Sequence, residues 1–285
     1  MAQTVKIISD STCDLSKDLL EKYDISILPL HILLGETEYR DGVDITPEEI
    51  FRWSDENKTT PKTSAPSMTE AMEVMKPFLD EGREIICFSI SDSMSTSGNV
   101  MRLAAEELEA SDKVTVINSA NLSTGIGLQV IQAALLSAEG KTRAKITAAI
   151  EEIRPRVRAS FTVDTLTYLY RGGRCNAVAA LAGTMLKLHP RIVVEDGAMD
   201  ASKKYRGKLS SVILSYTKDM EDDLKNAVPD RVFITHSGCD REIVESVRSY
   251  LESLGIFNEI LETRAGGVIS SHCGPGTLGL SLIHI

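Results

Sequence analysis

"REIICFSISDSMSTSGNVMRLAAEELE", residues 83–109, decides how the chain is read. Glu84 to Phe88 is a largely apolar run of strand length, and from Val100 onward apolar residues recur at helical spacing. A strand handed to a helix through a short polar loop is half of a β-α-β unit, the element of a parallel, doubly wound sheet. The loop has an uncommon chemistry: Ser89, Ser91, Ser93, Ser95, Thr96 and Ser97 crowd it with hydroxyls. It falls at the carboxyl end of a strand, the side on which open α/β sheets bind ligands.

The alternation continues on both sides. "VKIISDST" (5–12) reads as a buried first strand, "LSKDLLEKYD" (15–24) as a helix, and "ISILPLHILLGETEYRDG" (25–42) as strands turning at Gly35-Glu36. Thr46 and Glu49, with Pro47 between them, form a capping-box signature, and Ser67 with Glu70 forms a second. "NKTTPKTSAPS" (57–67) reads as a polar loop. "KVTVINS" (113–119) is a strand, and two helices follow from Leu122 and Lys141.

The pattern changes after Pro155. "RASFTV" (158–163) is a strand and "DTLTYLYRGGR" (164–174) a short helix stopped by two glycines. "CNAVAALAGTMLKLHP" (175–190) is an apolar helix ended by proline. "RIVVEDGAMDASKKYRG" (191–207) is a hairpin turning on Asp196-Gly197. Helices from Leu209 and Asp240 and strands at Arg231, Asn258 and Thr277 complete the chain. The expected fold is α/β in two domains. Residues 1–157 form a Rossmann-like parallel sheet flanked by helices, and residues 158–285 a mixed-sheet α/β domain.

Composition narrows function. The net charge is −10, so no basic face offers nucleic acid a general electrostatic footprint. No apolar run nears the ~20 residues of a membrane span. The N-terminus enters a strand directly, without a signal peptide's regions. The five cysteines are scattered without a Cys-x-x-Cys, which argues for reduced thiols, a cytoplasmic protein and no zinc site.

Three hydroxyl-rich loops stand out: the opening one, "KTSAPS" (62–67) with Thr63 and Ser64, and "NSANLSTG" (118–125) with Ser119 and Ser123. Each either caps a helix or donates to an anion. "LYRGGR" (169–174) sets Arg171 and Arg174 around two glycines, and a guanidinium suits a carboxylate or phosphate. "SSHCGPGTLG" (270–279) holds His272 in a glycine-rich turn. A nucleophile-elbow Gly-x-Ser-x-Gly and a P-loop are both missing. A serine hydrolase or a phosphotransferase acting on a small acid therefore stands as the alternative to a binding protein.

Taken in order, "IISDSTCDL" (7–15), "DGVDITPEEIFRW" (41–53), "PKTSAPS", "DTLTYLYRGGR", "HPRIVVEDG" (189–197) and "HCGPGTLGL" (272–280) resemble the DegV family, the bacterial fatty-acid-binding proteins, over essentially the whole chain. The resemblance implies a long-chain fatty acid buried between two domains and no catalysis by the protein itself. It implies no cofactor beyond that bound acid. The acid would be presented to a separate fatty acid kinase and the acyl phosphate carried onward, to an acyltransferase at the membrane. By motif, Thr63 and Ser95 would hold the carboxylate, with Ser64 in support and Arg171 and His272 nearby. Two departures are visible. Thr96 stands where the family often has glycine, and "LGLSLIHI" replaces its usual aromatic strand.

Overall fold

A computed structural model describes residues 5–175 and 188–285. In chain order the first part holds β1 (Val5–Asp10), α1 (Lys17–Lys22), β2 (Ile25–Leu28), β3 (His31–Leu34), β4 (Thr37–Arg40), α2 (Pro47–Asn57), β5 (Lys62–Ser64) and α3 (Met68–Asp80). Then come β6 (Glu84–Ser89), α4 (Ser97–Glu107), β7 (Val114–Asn118), α5 (Thr124–Ala138) and α6 (Arg143–Ile153). The rest is β8 (Val157–Thr162), α7 (Thr167–Gly172), β9 (His189–Glu195), β10 (Ala198–Tyr205), α8 (Leu209–Asp219), α9 (Glu221–Lys225), β11 (Arg231–Ser237), α10 (Arg241–Leu254), β12 (Glu259–Arg264), α11 (Gly267–Cys273) and β13 (Thr277–Ile283). Most of the helix expected over residues 175–190 lies outside the described residues.

The strands form three sheets. The first, ordered β2-β1-β6-β7, is wholly parallel, with Ile8 opposite Ser26 and Cys87. Its strands point alternate residues to opposite faces. Val5, Ile7, Ile86 and Phe88 meet α5, while Ile8, Ile85 and Cys87 meet α3 and α4. A sheet covered by helices on both faces is the doubly wound arrangement the sequence pattern predicts.

The third sheet is mixed, in the order β10-β9-β8-β13-β11-β12, and only its β11-β12 pair is parallel. Leu278, Leu280 and Leu282 of β13 enter a core with α8 and α10, and Ser281 on the opposite face accepts a hydrogen bond from Thr124 of α5. The chain's atypical last strand is thus an inner strand, buried along nearly its whole length. α5 is apolar almost all round and buried on every side, as such a helix must be. It is the layer that the first and third sheets share.

A small antiparallel sheet, β4-β3-β5, sits beside these. It corrects the reading of residues 57–67 as a loop throughout: Lys62, Thr63 and Ser64 pair with Leu33, Ile32 and His31. Three residues behind a proline are too few to show strand periodicity. Both capping boxes form, Thr46 with Glu49 and Ser67 with Glu70. Asp196 and Gly197 turn the β9-β10 hairpin at φ 49° and 78°, the two positive values that such a tight hairpin turn needs.

Candidate ligand site

β1 and β6 end side by side, and residues that follow β6 line one side of a cavity. Asp10, wholly buried at the end of β1, accepts hydrogen bonds from the Ile90 amide at 2.9 Å and from the Ser97 hydroxyl at 2.6 Å. It thereby fixes both ends of the serine loop. Burial pushes its carboxyl above the usual carboxylate range, against the pull of those hydrogen bonds.

The serines of the loop have distinct partners. Ser91 and Ser93 donate to the carbonyl of Gly197, at 2.6 and 2.5 Å, and anchor the β9-β10 turn over the loop. Among the described residues Ser95 accepts only from the Ser97 amide, at 3.2 Å. Thr96, the residue before α4, makes no side-chain cap, and Ser93 and Ser97 join separate parts of the fold rather than cap that helix.

The cavity measures about 420 Å³. Thr63, Ser64, Asp92, Ser93, Ser95, Thr96, Arg174 and His272 supply its polar wall, and Ile90, Leu122, Met199, Val268, Ile269 and Cys273 much of its apolar wall. A second void of about 30 Å³ lies further in, between α5, β8, β11 and β13, and shares Leu122, Ile269 and Cys273 with the first.

Thr63 and His272 meet directly. Thr63 turns inward on β5 between the exposed Lys62 and Ser64, and its hydroxyl lies 2.8 Å from Nε2 of His272. His272 stands in the last turn of α11, not in a turn as its glycine-rich surroundings suggest; Gly274 ends the helix. Burial, with the Arg174 guanidinium nearby, pushes the imidazole down to about 4, so it is neutral at neutral pH. The other ring nitrogen, Nδ1, is buried without a hydrogen-bond partner among the described residues and faces Gly172, where an added Cβ would lie 2.4 Å away.

Of the residues singled out from sequence, Thr63, Ser64, Ser95 and His272 share this one cavity. Arg171 does not line it. It is exposed, with its guanidinium 3.4 Å from the carbonyl of Lys58. Arg174, three residues on, stands at the cavity wall and donates to the Gly172 carbonyl at 2.6 Å.

Two further buried carboxyls escaped the sequence reading. Asp14 accepts from the amide of Gly266 at 2.8 Å, and Asp41 from that of Gly267 at 2.7 Å, so both hold the first turn of α11. Their one sequence signal is an acidic residue placed beside an apolar run. Among the described residues no group of histidine, cysteine and acidic side chains is placed to hold a metal ion, and no helix is long and apolar enough to cross a membrane.

Comparison with known proteins follows the same lines. The DegV family model matches residues 4–284. A DegV domain-containing protein of Clostridium perfringens is 33% identical, over 97% of each chain. A DegV family protein from Thermus thermophilus, described for its fatty acid binding, superimposes with a TM-score of 0.91 at 31% identity, covering 99% of this chain and 100% of its own. A stearic acid-binding protein from Eubacterium ventriosum superimposes at 0.84 with 32% identity, over 98% of each chain. The chain belongs to the DegV family.

Proposed function

We propose that the protein binds a long-chain fatty acid and presents its carboxylate to a separate fatty acid kinase, then carries the acyl phosphate onward. The observation that carries this reading is the cavity itself. Hydroxyls, a neutral imidazole, Asp92 and Arg174 line it together with apolar side chains, three of which also line a second void. Similar proteins described as binding fatty acid and stearic acid add to it.

The chemistry suits such a ligand. Each buried methylene contributes about 0.8 kcal/mol, so the tail dominates affinity. A carboxylate buried without partners costs several kcal/mol, and hydroxyls answer that cost. In this reading Thr63 and Ser95 donate to the carboxylate, with Ser64 beside them. None of these fixes the acid in an ion pair, so its oxygen stays available for phosphorylation. Arg174 supplies a cation at the wall where the acyl phosphate gains charge, and the exposed Arg171 is left for the kinase.

The hydrolase alternative lacks support in the geometry. The hydroxyl beside His272 is that of Thr63, and the far nitrogen of the ring meets Gly172 where a triad would place an orienting carboxylate. On the proposed reading the chain divides after residue 157, and α5 of the first unit packs on β8 and β13 of the second. It acts in the cytoplasm and hands its product to an acyltransferase at the membrane.

Isothermal titration of delipidated protein with stearate and with methyl stearate tests the reading. Stearate should bind at micromolar or tighter concentration, and the ester at least tenfold more weakly by the loss of charge-assisted hydrogen bonds. Equal affinity for the two would remove the carboxylate from the site. Heat release from neither would remove the fatty acid.

A further inference from the structure

Asp14 joins the starts of two helices. One carboxyl oxygen accepts from the amide of Gly266, the residue before α11, at 2.8 Å. The other accepts from the hydroxyl of Ser123, the residue before α5, at 2.5 Å. Ser123 does not cap its own helix, so its hydroxyl serves this cross-link. Asp41 ties the same end of α11 to the small sheet, through the Gly267 amide and the Ser11 hydroxyl at 2.8 Å.

The start of α5 and the body of α11 border both voids. Leu122, next to Ser123, and Ile269 and Cys273 of α11 line both the outer cavity and the inner void. Whatever sets the distance between the start of α5 and α11 sets the width of the passage between them.

The backbone shows that this link is maintained against strain. Asp14 sits at φ 51° and Ser123 at φ 51°, both in the left-handed half of conformational space although neither is glycine. Such conformers cost about 1–3 kcal/mol each and persist only where the surroundings hold them. The Asp14–Ser123 hydrogen bond connects the two strained positions directly.

We infer that Asp14 is a positioning residue for the ligand: by holding α5 and α11 together it sets the opening of that passage and the rate at which an acyl tail goes through. This deepens the fatty-acid reading and rests on it.

A pH dependence goes with the position. Burial pushes the Asp14 carboxyl up to about 8, assisted by the charges of Asp41 and Asp10. The thiols of Cys13 and Cys273 are the other titratable groups facing it. Ionisation above that value favours an opened passage in which water reaches the carboxylate. Release of the ligand should therefore quicken between pH 7 and 9.

The test follows stearate release into excess vesicles by stopped flow, for wild type, Ser123→Ala, Asp14→Ala and Asp14→Asn. Ser123→Ala should speed release at pH 7 by about three- to tenfold, the effect of one lost hydrogen bond to a neutral carboxyl, and Asp14→Ala, which loses two, by at least as much. Asp14→Asn, which offers an oxygen to Gly266 and an amide to Ser123 and tolerates positive φ, should restore slow release. It should also abolish the rise toward pH 9. Wild-type release from Ser123→Ala and Asp14→Ala, or a rise toward pH 9 that survives in Asp14→Asn, would overturn the inference. Amide exchange at Leu122 and Gly266 in delipidated protein reads the link without ligand. Faster exchange in the two alanine variants supports the link even if stearate fails to bind wild type, and unchanged exchange refutes it.

Discussion

Thr63 and His272 lie 209 positions apart and share a 2.8 Å hydrogen bond in the wall of the cavity. β5 brings the hydroxyl and α11 brings the imidazole, so the site exists only when the small sheet and the C-terminal helix pack together.

Removing the hydroxyls of Thr63 and Ser95 together should weaken stearate binding about 100-fold, at roughly 1.5 kcal/mol for each hydrogen bond to a charged group. The tail contacts remain, so binding should not vanish. Calorimetry measures the affinity, and an unchanged circular dichroism melt shows that the fold survives. Wild-type affinity in the double variant would take both hydroxyls out of the site.

His272 should remain neutral down to about pH 4 in the delipidated protein, read from its imidazole signals by NMR. An unfolded histidine binds a proton near pH 6.5, whereas the buried one does not, so the unfolded chain holds more protons in between. Stability should fall as the pH drops from about 6.5 toward 4. His272→Gln should flatten that limb.

Gly172→Ala tests the packing behind the imidazole. In an ordinary helix position the change stabilises by up to about 1 kcal/mol. Here the new Cβ would lie 2.4 Å from Nδ1 of His272, so the variant should instead lose about 1–3 kcal/mol, as overpacked sites do. Stearate affinity should fall with it. A raised melting temperature with unchanged binding would contradict the contact.

The two arginines should separate. Arg171→Ala, on the exposed side of α7, should leave stearate affinity unchanged and slow phosphorylation in a kinase-coupled assay. Arg174→Ala should let the His272 imidazole titrate at higher pH, since the guanidinium helps to hold it down. Identical imidazole titration in that variant would remove Arg174 from the cavity's electrostatics.

Much of the framework is legible in the sequence because its signals are local. The serine loop stands between a clear strand and a clear helix, Thr46 and Ser67 announce their caps three residues ahead, and Asp196-Gly197 marks its turn. What is not legible is set by distance or brevity. β5 has only three residues, with exposure alternating around Thr63. α11 is bounded by glycines, and its start is held by Asp14 and Asp41 from 252 and 226 positions away. Nothing in the local sequence shows that those carboxyls, or Asp10, are buried. Arg171 and Arg174 flank the same two glycines, and only packing shows that Arg174 is the one at the cavity wall.

The most direct test is solvent extraction and mass spectrometry of the protein as purified from a bacterial host. A stoichiometric long-chain fatty acid, released on denaturation and taken up again by the delipidated protein, is the predicted result. A protein that carries no fatty acid, and takes up none at micromolar concentration after delipidation, would contradict the account.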